Sequence, residues 1–495
     1  MSTIDPRTPV LVGVAAVGQR LDDPAAAVDV VGLMEQAARA AAADAGAPDL
    51  LARLQWIAAT KGNARLRDPA RLVADRVGSP GAHTVLSDIG VLQTAPLRKA
   101  AQLIAAGHLD IAMVIGGETK YRSLRAQITG IGPDELDEAV EPSGSAPDEH
   151  WVAEGDVISR TEIDFGLVHP VQQYAMIENA LRAADGQTLD EHRREIADLY
   201  AAMNLVARSN PKADFAQAMD APFLAEPGPD NRPLAYPYNK WHNSQWNVDQ
   251  AAAIILCSAA QAQAFGVARD QWVFPTVTVE SNHMTHLINR DQLHRCPGFE
   301  LGAQKVLELS ELDADQLGPV ELYSCFPVAV RVQQRALGFD VRRPVTVTGG
   351  MAFAGGPLNN FVFQALVELV ACLRQQGGVA LSTAISGMLT KQSLSLYSTQ
   401  PPPELRVADI SAEVGVATGT RAVSARITGC GQVAAYTVAY QGGEAVTALV
   451  IAQHDDGTRT LASSDDPAVV GYLLANEGTG LVIDLHHGRF SVGGP

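Results

Sequence analysis

The segment TGGMAFAGGPLNN, residues 348–360, places four glycines within eight positions, between an apolar run (344–347) and a helical pattern (361–376). A glycine-rich turn from strand to helix can cradle a phosphate with its backbone N–H groups. A Walker loop needs Lys-Ser/Thr after its last glycine, but Pro357 and Leu358 follow Gly356, and GxGxxG is missing. Proline there fits the first position of a helix, so no nucleotide site is expected. ELYSCFP (321–327) offers Tyr323, a phenol able to act as acid or oxyanion donor, and Cys325, a thiol two residues on. The bland reading of Tyr323 is a buried ring that fills space. HMTHLINRDQLHRC (283–296) gathers His283, His286, His294 and Cys296 at spacings that fit no tetrahedral zinc motif, so no metal is expected. His169 precedes Pro170 at a helix start and reads as a cap or surface residue.

These residues need elements to hold them. A first strand is expected within 8–18 and a helix over 23–45 stopped by Gly46, then a strand at 56–60 and a helix at 68–77. A small-residue turn, a helix over 92–106, Gly107, an apolar strand over 111–115 and Gly116–Gly117 follow. The second half has the same layout: turn 348–360, helix 361–376, glycines 377–378, strand 379–385 and Gly387. The repeat suggests an internal duplication, although any two βα units would look alike. Residues 119–240 read as an insertion, acidic first, then helical over 171–184 and 189–209. After 398 comes a proline-rich linker (399–409), and then the pattern turns to period two. The runs 421–429, 432–440, 445–453 and 481–492, parted by hairpin turns and one short helix (467–475), predict a small all-β, barrel-like domain over 410–495.

The chain has 495 residues and a formal net charge of −18, which disfavours nucleic acid and anionic membrane surfaces as partners. It shows no bilayer-spanning run and no signal peptide, and its five scattered cysteines suit reduced thiols in the cytoplasm. Cys257 and Cys372 lie in apolar runs and read as core, and Cys430 lies in a β-domain turn.

Laid end to end, the segments resemble the thiolases. Residues 90–118 resemble the nucleophile helix and the strand after it, and NVDQAAAIIL (247–256) resembles the DGAAA segment, with Gln250 in place of glycine. ELYSCFP resembles the NEAF or HDCF loop, GGMAFAGGP (349–357) the GHP loop, and STAISGM (382–388) the CxGG loop. The resemblance covers roughly residues 8–400 and points to the sterol-carrier-type and thiolase-like branch with an added C-terminal domain. It implies an α/β thiolase fold, two similar βαβ halves in five layers, α/β/α/β/α. The halves would be 1–250, with a loop domain at 119–240, and 251–398. It also implies coenzyme A or an acyl-CoA as ligand, with no other cofactor required, and Lys120, Arg122 and Arg125 placed to meet its anionic end. A solvated charged face is the alternative for those three.

The departures carry the functional reading. A thiolase uses a Cys nucleophile at a helix N-terminus, a His base, a second Cys and an Asn or His near the thioester oxygen. Carried over by motif, those positions hold Gly90, Gly356, Ala384 and Tyr323. Losing a nucleophile-and-base unit costs on the order of a millionfold in rate, or roughly 8 kcal/mol of barrier. The expectation is a protein that is not an ordinary thiolase, with an acyl-CoA-related binding or non-catalytic role and a protein partner at the C-terminal domain. The alternative is a thiolase-fold enzyme of altered chemistry, aldol-type or acyl transfer, using Tyr323.

Overall fold

Strand Pro9–Gln19 must approach the helix that follows it closely: a Cβ at Gly13 would run into the carbonyl oxygen of Ala41. That helix, Val30–Asp44, starts where the Asp29 carboxylate accepts the N–H of Gly32, and it buries a stripe of small residues at Ala37, Ala38 and Ala41. Small side chains on both partners draw helix and sheet together. The computed structural model describes residues 4–132, 135–425 and 427–492.

The first sheet runs outward from Pro9–Gln19. It pairs antiparallel with Asp249–Ser258, which pairs antiparallel with Ile111–Thr119, which pairs parallel with Trp56–Thr60. The second sheet repeats that sequence of directions. Phe274–Ser281 pairs antiparallel with Lys391–Ser398, which pairs antiparallel with Val379–Ser386, which pairs parallel with Val320–Glu321. The repeated layout of the sequence is thus a repeated topology. Helices Thr94–Ala105 and Phe361–Gln376 lie between the sheets. The second touches strands of both sheets, and the first hydrogen-bonds across to Glu280 of the second sheet through Thr94 and Arg98. Val30–Asp44 and Pro69–Val77 cover the outer face of one sheet, and Pro297–Ser310 that of the other. Five layers result, α/β/α/β/α.

Three local outcomes differ from the sequence expectation. Strand Asp249–Ser258 belongs to the first sheet, which therefore extends past residue 250. The acidic start of the insertion contributes strand Glu149–Trp151, which covers the free edge of His83–Ser87. The stretch expected as linker, 399–409, contains strand Arg406–Asp409, paired parallel with Phe274–Ser281, so this chain segment is part of the core sheet.

Beyond it, strands Thr428–Gln441, Glu444–Gln453, Arg459–Ser464, Arg489–Ser491 and Val482–His486 pair in that order and close back onto the first as a five-stranded barrel. The first hairpin turns on Gly442 and Gly443, both at positive φ, as the QGGE signal implied. Of the strand expected over 421–429, only Thr428 and Gly429 are strand among the described residues. The barrel is docked firmly. Asn179 of helix Pro170–Ala184 donates to the carbonyl oxygens of Tyr236 (3.2 Å) and Tyr436 (3.0 Å), and Arg182 of the same helix pairs with Glu477. Among the described residues, no helix is long and apolar enough to cross a membrane.

Candidate functional site

The two central helices begin side by side, and Gln93 joins their starts. Its side-chain oxygen accepts the Val362 N–H at 2.9 Å, and its amide nitrogen faces the Leu358 carbonyl oxygen (3.4 Å) and the Tyr323 phenol (3.5 Å). Gly90 sits in the turn before the first helix at φ +100°, and its carbonyl oxygen accepts the Ser386 hydroxyl at 3.2 Å. A Cβ there would stand 2.8 Å from the Cβ of Ala153, in a backbone conformation that disfavours any L side chain.

Tyr323 follows strand Val320–Glu321. Its N–H donates to Thr383 Oγ1 at 2.8 Å, its ring meets Phe361 edge-on at 6.0 Å, and it is only 8% exposed. Burial first, and the neighbouring Cys325 second, push the phenol well above its ordinary pKa, so it is neutral near pH 7. Gly356 donates its N–H to the Gln245 carbonyl oxygen at 2.9 Å, and a Cβ on it would overlap Ser244 Oγ. Ser244 in turn donates its N–H to the Cys325 carbonyl oxygen at 3.1 Å, so residues 244–245 run as a strap between the two loops. Ala384 lies within strand Val379–Ser386 opposite Ser393, and not in the loop where the motif placed it; Ser386 is the residue that reaches Gly90.

The residues leading into the glycine-rich loop do hold a carboxyl group, but an internal one. The Glu321 carboxylate accepts the N–H groups of Val347 (2.7 Å) and Thr348 (3.0 Å) and the hydroxyls of Thr346 and Thr348. Burial nonetheless raises its pKa to about 7. Gly349, Gly350 and Gly355 all take positive φ, which accounts for three of the four glycines. The role of Glu321 was missed in the sequence, because a lone Glu before a Leu-Tyr pair carries no signal.

The basic residues separate. Arg122 is fully buried, with its guanidinium bonded to the carbonyl oxygens of Pro24 and Asp137 and paired with Glu138; this corrects its reading as a ligand contact. Its surroundings come from residues 24, 137, 138 and 249, which the sequence alone does not bring together. Arg125 pairs with Asp22 at 3.4 Å, and Lys120 lies over the exposed Trp246 ring at 5.1 Å. His283 bonds Thr285, His286 bonds the Asp156 carbonyl oxygen, and Cys296 bonds the Leu389 carbonyl oxygen. Among the described residues, no three His, Cys, Asp or Glu side chains gather to hold a metal. His169 stands at the N-cap of Pro170–Ala184 without a side-chain capping bond.

Around Tyr323 the interior is aromatic. Tyr174 stacks on Phe326 at 4.3 Å, Tyr238 on Phe326 at 5.7 Å, and Trp241 on Phe353 at 6.1 Å. Gly90, Tyr323, Gly356 and Ala384 are all buried, and none of them lines the cavities beside Arg20, Asp185, Glu118 or Tyr236. The same burial pushes the thiols of Cys257 and Cys325 up to about 12 and that of Cys296 to about 11. A disulfide reagent at pH 8 is therefore expected to react promptly with exposed Cys430 and with these three only on unfolding. Prompt labelling of Cys325, read by mass spectrometry of digests, would contradict the sealed centre.

No sequence-family profile matches the chain, and no curated protein matches it by sequence. Solved structures do. A monomeric SCP2-thiolase like protein type 1 from Mycobacterium smegmatis is 26% identical, with a TM-score of 0.83 over 99% of this chain and 100% of that one. The match therefore runs through the C-terminal barrel. An Ltp2–ChsH2(DUF35) aldolase (17% identity, TM-score 0.59, 80% of this chain, 100% of that one) shares the fold. So does the human mitochondrial 3-ketoacyl-CoA thiolase (16%, 0.55, 79% and 99%). With motifs in thiolase order and two topologically matching halves, the chain has the thiolase fold and is similar along its whole length to an SCP2-thiolase like protein.

Proposed function

We propose that this chain is a thiolase-like protein that does not carry out thiolysis or acetyl-CoA condensation and acts by binding, with an acyl-CoA as the ligand class. Two features carry the reading: Gly90, Tyr323 and Gly356 stand where the resemblance puts catalytic groups, and Ala153 and Ser244 fill the space that side chains at 90 and 356 would need. No nucleophile or base then faces a thioester. The acyl-CoA class rests on the likeness to an SCP2-thiolase like protein, with Lys120 and the neighbouring surface as its contact. Tyr323 supports a packing role, since its phenol is neutral, buried and held between Gln93 and Phe361. The five cysteines are free, which suits the cytoplasm, and the barrel domain, with Val482 exposed, offers a face to a protein partner.

Acetoacetyl-CoA with coenzyme A is expected to give no thiolysis; a turnover of about one per second, an ordinary enzyme rate, would overturn the reading. Calorimetry with coenzyme A, acetyl-CoA and a long-chain acyl-CoA tests the ligand class. Binding of none of them leaves a scaffold role, and carbon–carbon cleavage lost in Tyr323→Phe would establish the enzyme reading instead.

A further inference from the structure

Thr348 and Ala354 of the glycine-rich loop also border a cavity whose wall includes neither Tyr323 nor Gly356. It is open to solvent on one side and has a volume of about 330 Å3. Liquid water takes about 30 Å3 per molecule, so a ligand of several heavy atoms fits. Thr348 and Ala354 of the loop, Gln250, Asp214 and Arg20 are in its wall. Several donors in that wall are already used. Asn210 donates to the Thr348 carbonyl oxygen (2.9 Å), Lys212 pairs with Glu368 (2.7 Å), and the Gln19 amide donates to the Val28 carbonyl oxygen (2.8 Å). Arg20 donates to the Asn247 carbonyl oxygen (3.3 Å), and its guanidinium lies over the Tyr121 and Phe215 rings at 4.0 and 5.0 Å.

Two buried acceptors are not used. Gln250 Nε2 donates to the Ala354 carbonyl oxygen at 2.9 Å, which fixes the amide and leaves Oε1 without a partner in a residue only 3% exposed. Gly355, at φ +106°, leaves that oxygen its room, since a Cβ would stand 2.7 Å from it. Asp214 Oδ2 likewise has no hydrogen-bond partner, and Arg20 stays 3.9 Å away. Buried acceptors left unmade are costly and rare, so their pairing at one cavity calls for a donor.

We propose that this cavity is a second ligand site, for a small molecule carrying a protonated amine whose N–H groups bond Asp214 Oδ2 and Gln250 Oε1. A carboxylate among the free acceptors selects a charged donor over a neutral one. Burial raises the Asp214 pKa to about 7, with Arg20 opposing and Asp249 adding to the rise; a bound cation would reverse that shift.

Calorimetry on the full-length protein at pH 8 in physiological salt, with 1,4-diaminobutane and with 1,4-butanediol as its neutral match, tests the site. The expected result is one saturable site for the diamine and none for the diol. Asp214→Asn and Gln250→Leu are each expected to weaken it about tenfold or more, the scale of a lost charge-assisted bond. No binding of the diamine at millimolar concentration, equal binding of the diol, many weak sites, or unchanged affinity in both variants would each overturn the proposal. If the variants fail to fold, the diamine and diol comparison on the unaltered protein decides it.

Discussion

Arg331→Met is expected to lower the unfolding free energy at pH 7 by about 3–5 kcal/mol, the scale of breaking a buried ion pair from one side. Arg331 sits on helix Pro327–Leu337, directly after ELYSCFP, and Glu178 on helix Pro170–Ala184 of the insertion. Their side chains meet at 2.5 Å, both buried, and Glu195 and Asp185 add further pairs to Arg331. Glu178 also accepts from the Tyr238 hydroxyl at 2.7 Å and lies 3.0 Å from His192 Nε2. The network thus clamps the insertion onto the second half, beside the sealed centre.

The pH dependence separates this clamp from simple packing. Burial alone would push the Glu178 carboxyl up; the Arg331 charge and the bonds from His192 and Tyr238 override it and hold it at about 2, against an ordinary 4.5. A depressed folded pKa gives stability that is full above the ordinary value and lost as pH falls through 4.5 toward 2. The shift corresponds to about 3 kcal/mol. In Arg331→Met the opposing charge of Arg331 is gone and only the bonds from His192 and Tyr238 still act against burial, so the carboxyl rises and the variant gains relative stability as pH falls. Urea unfolding at pH 7 and pH 4 should show the gap between the two proteins shrinking at pH 4. Glu178→Gln combined with Arg331→Met should cost less than Arg331→Met alone, because no unpaired charge stays buried. An equal gap at both pH values would mean that Arg331 acts only by filling space.

The fold was legible where patterns were local. Helix 361–376 and helix 467–475 are Phe361–Gln376 and Pro467–Ala475 in the structure, because periodicity and flanking glycine or proline set both ends. Helix 23–45 begins later, at Val30, because Asp29 rather than Asp23 caps it. The strands Glu149–Trp151 and Arg406–Asp409 were hidden, one in an acidic run and one behind three prolines. Both are short edge strands whose conformation comes from the neighbour they pair with, and such pairing leaves little trace in their own residues. The candidate site was legible as an order of motifs and not as a set of contacts. Nothing in TVTGG tells that the N–H groups of Val347 and Thr348 turn inward to Glu321, and nothing in KYR tells that Arg122 is buried against Glu138 while Lys120 stays at the surface.

Gly356→His is expected to destabilise the protein by about 1–3 kcal/mol or more and to give no thiolysis, which makes position 356 a packing site as it now stands. The clash begins at the first carbon, since a Cβ there would overlap Ser244 Oγ. Ser244 cannot simply step aside. Its N–H is held by the Cys325 carbonyl oxygen (3.1 Å), the next N–H by that of Met351 (3.0 Å), and the Gln245 carbonyl oxygen holds Gly356 itself (2.9 Å). Gly356→Ala should therefore already lower the unfolding midpoint, and Ser244→Gly in the same chain should recover part of the loss. The coupling between the two is expected to exceed about 0.5 kcal/mol, the limit for independent sites. Gly90→Cys meets a second obstacle, because φ +100° and the Ala153 Cβ at 2.8 Å both oppose a side chain. Restoring the missing groups one at a time thus asks the strap at 244–245 and the segment at 153 to move first. If Gly356→His folded with unchanged stability, the loop would be open enough to receive an imidazole, and the loss of chemistry would lie in the residue types alone and not in the packing built around them.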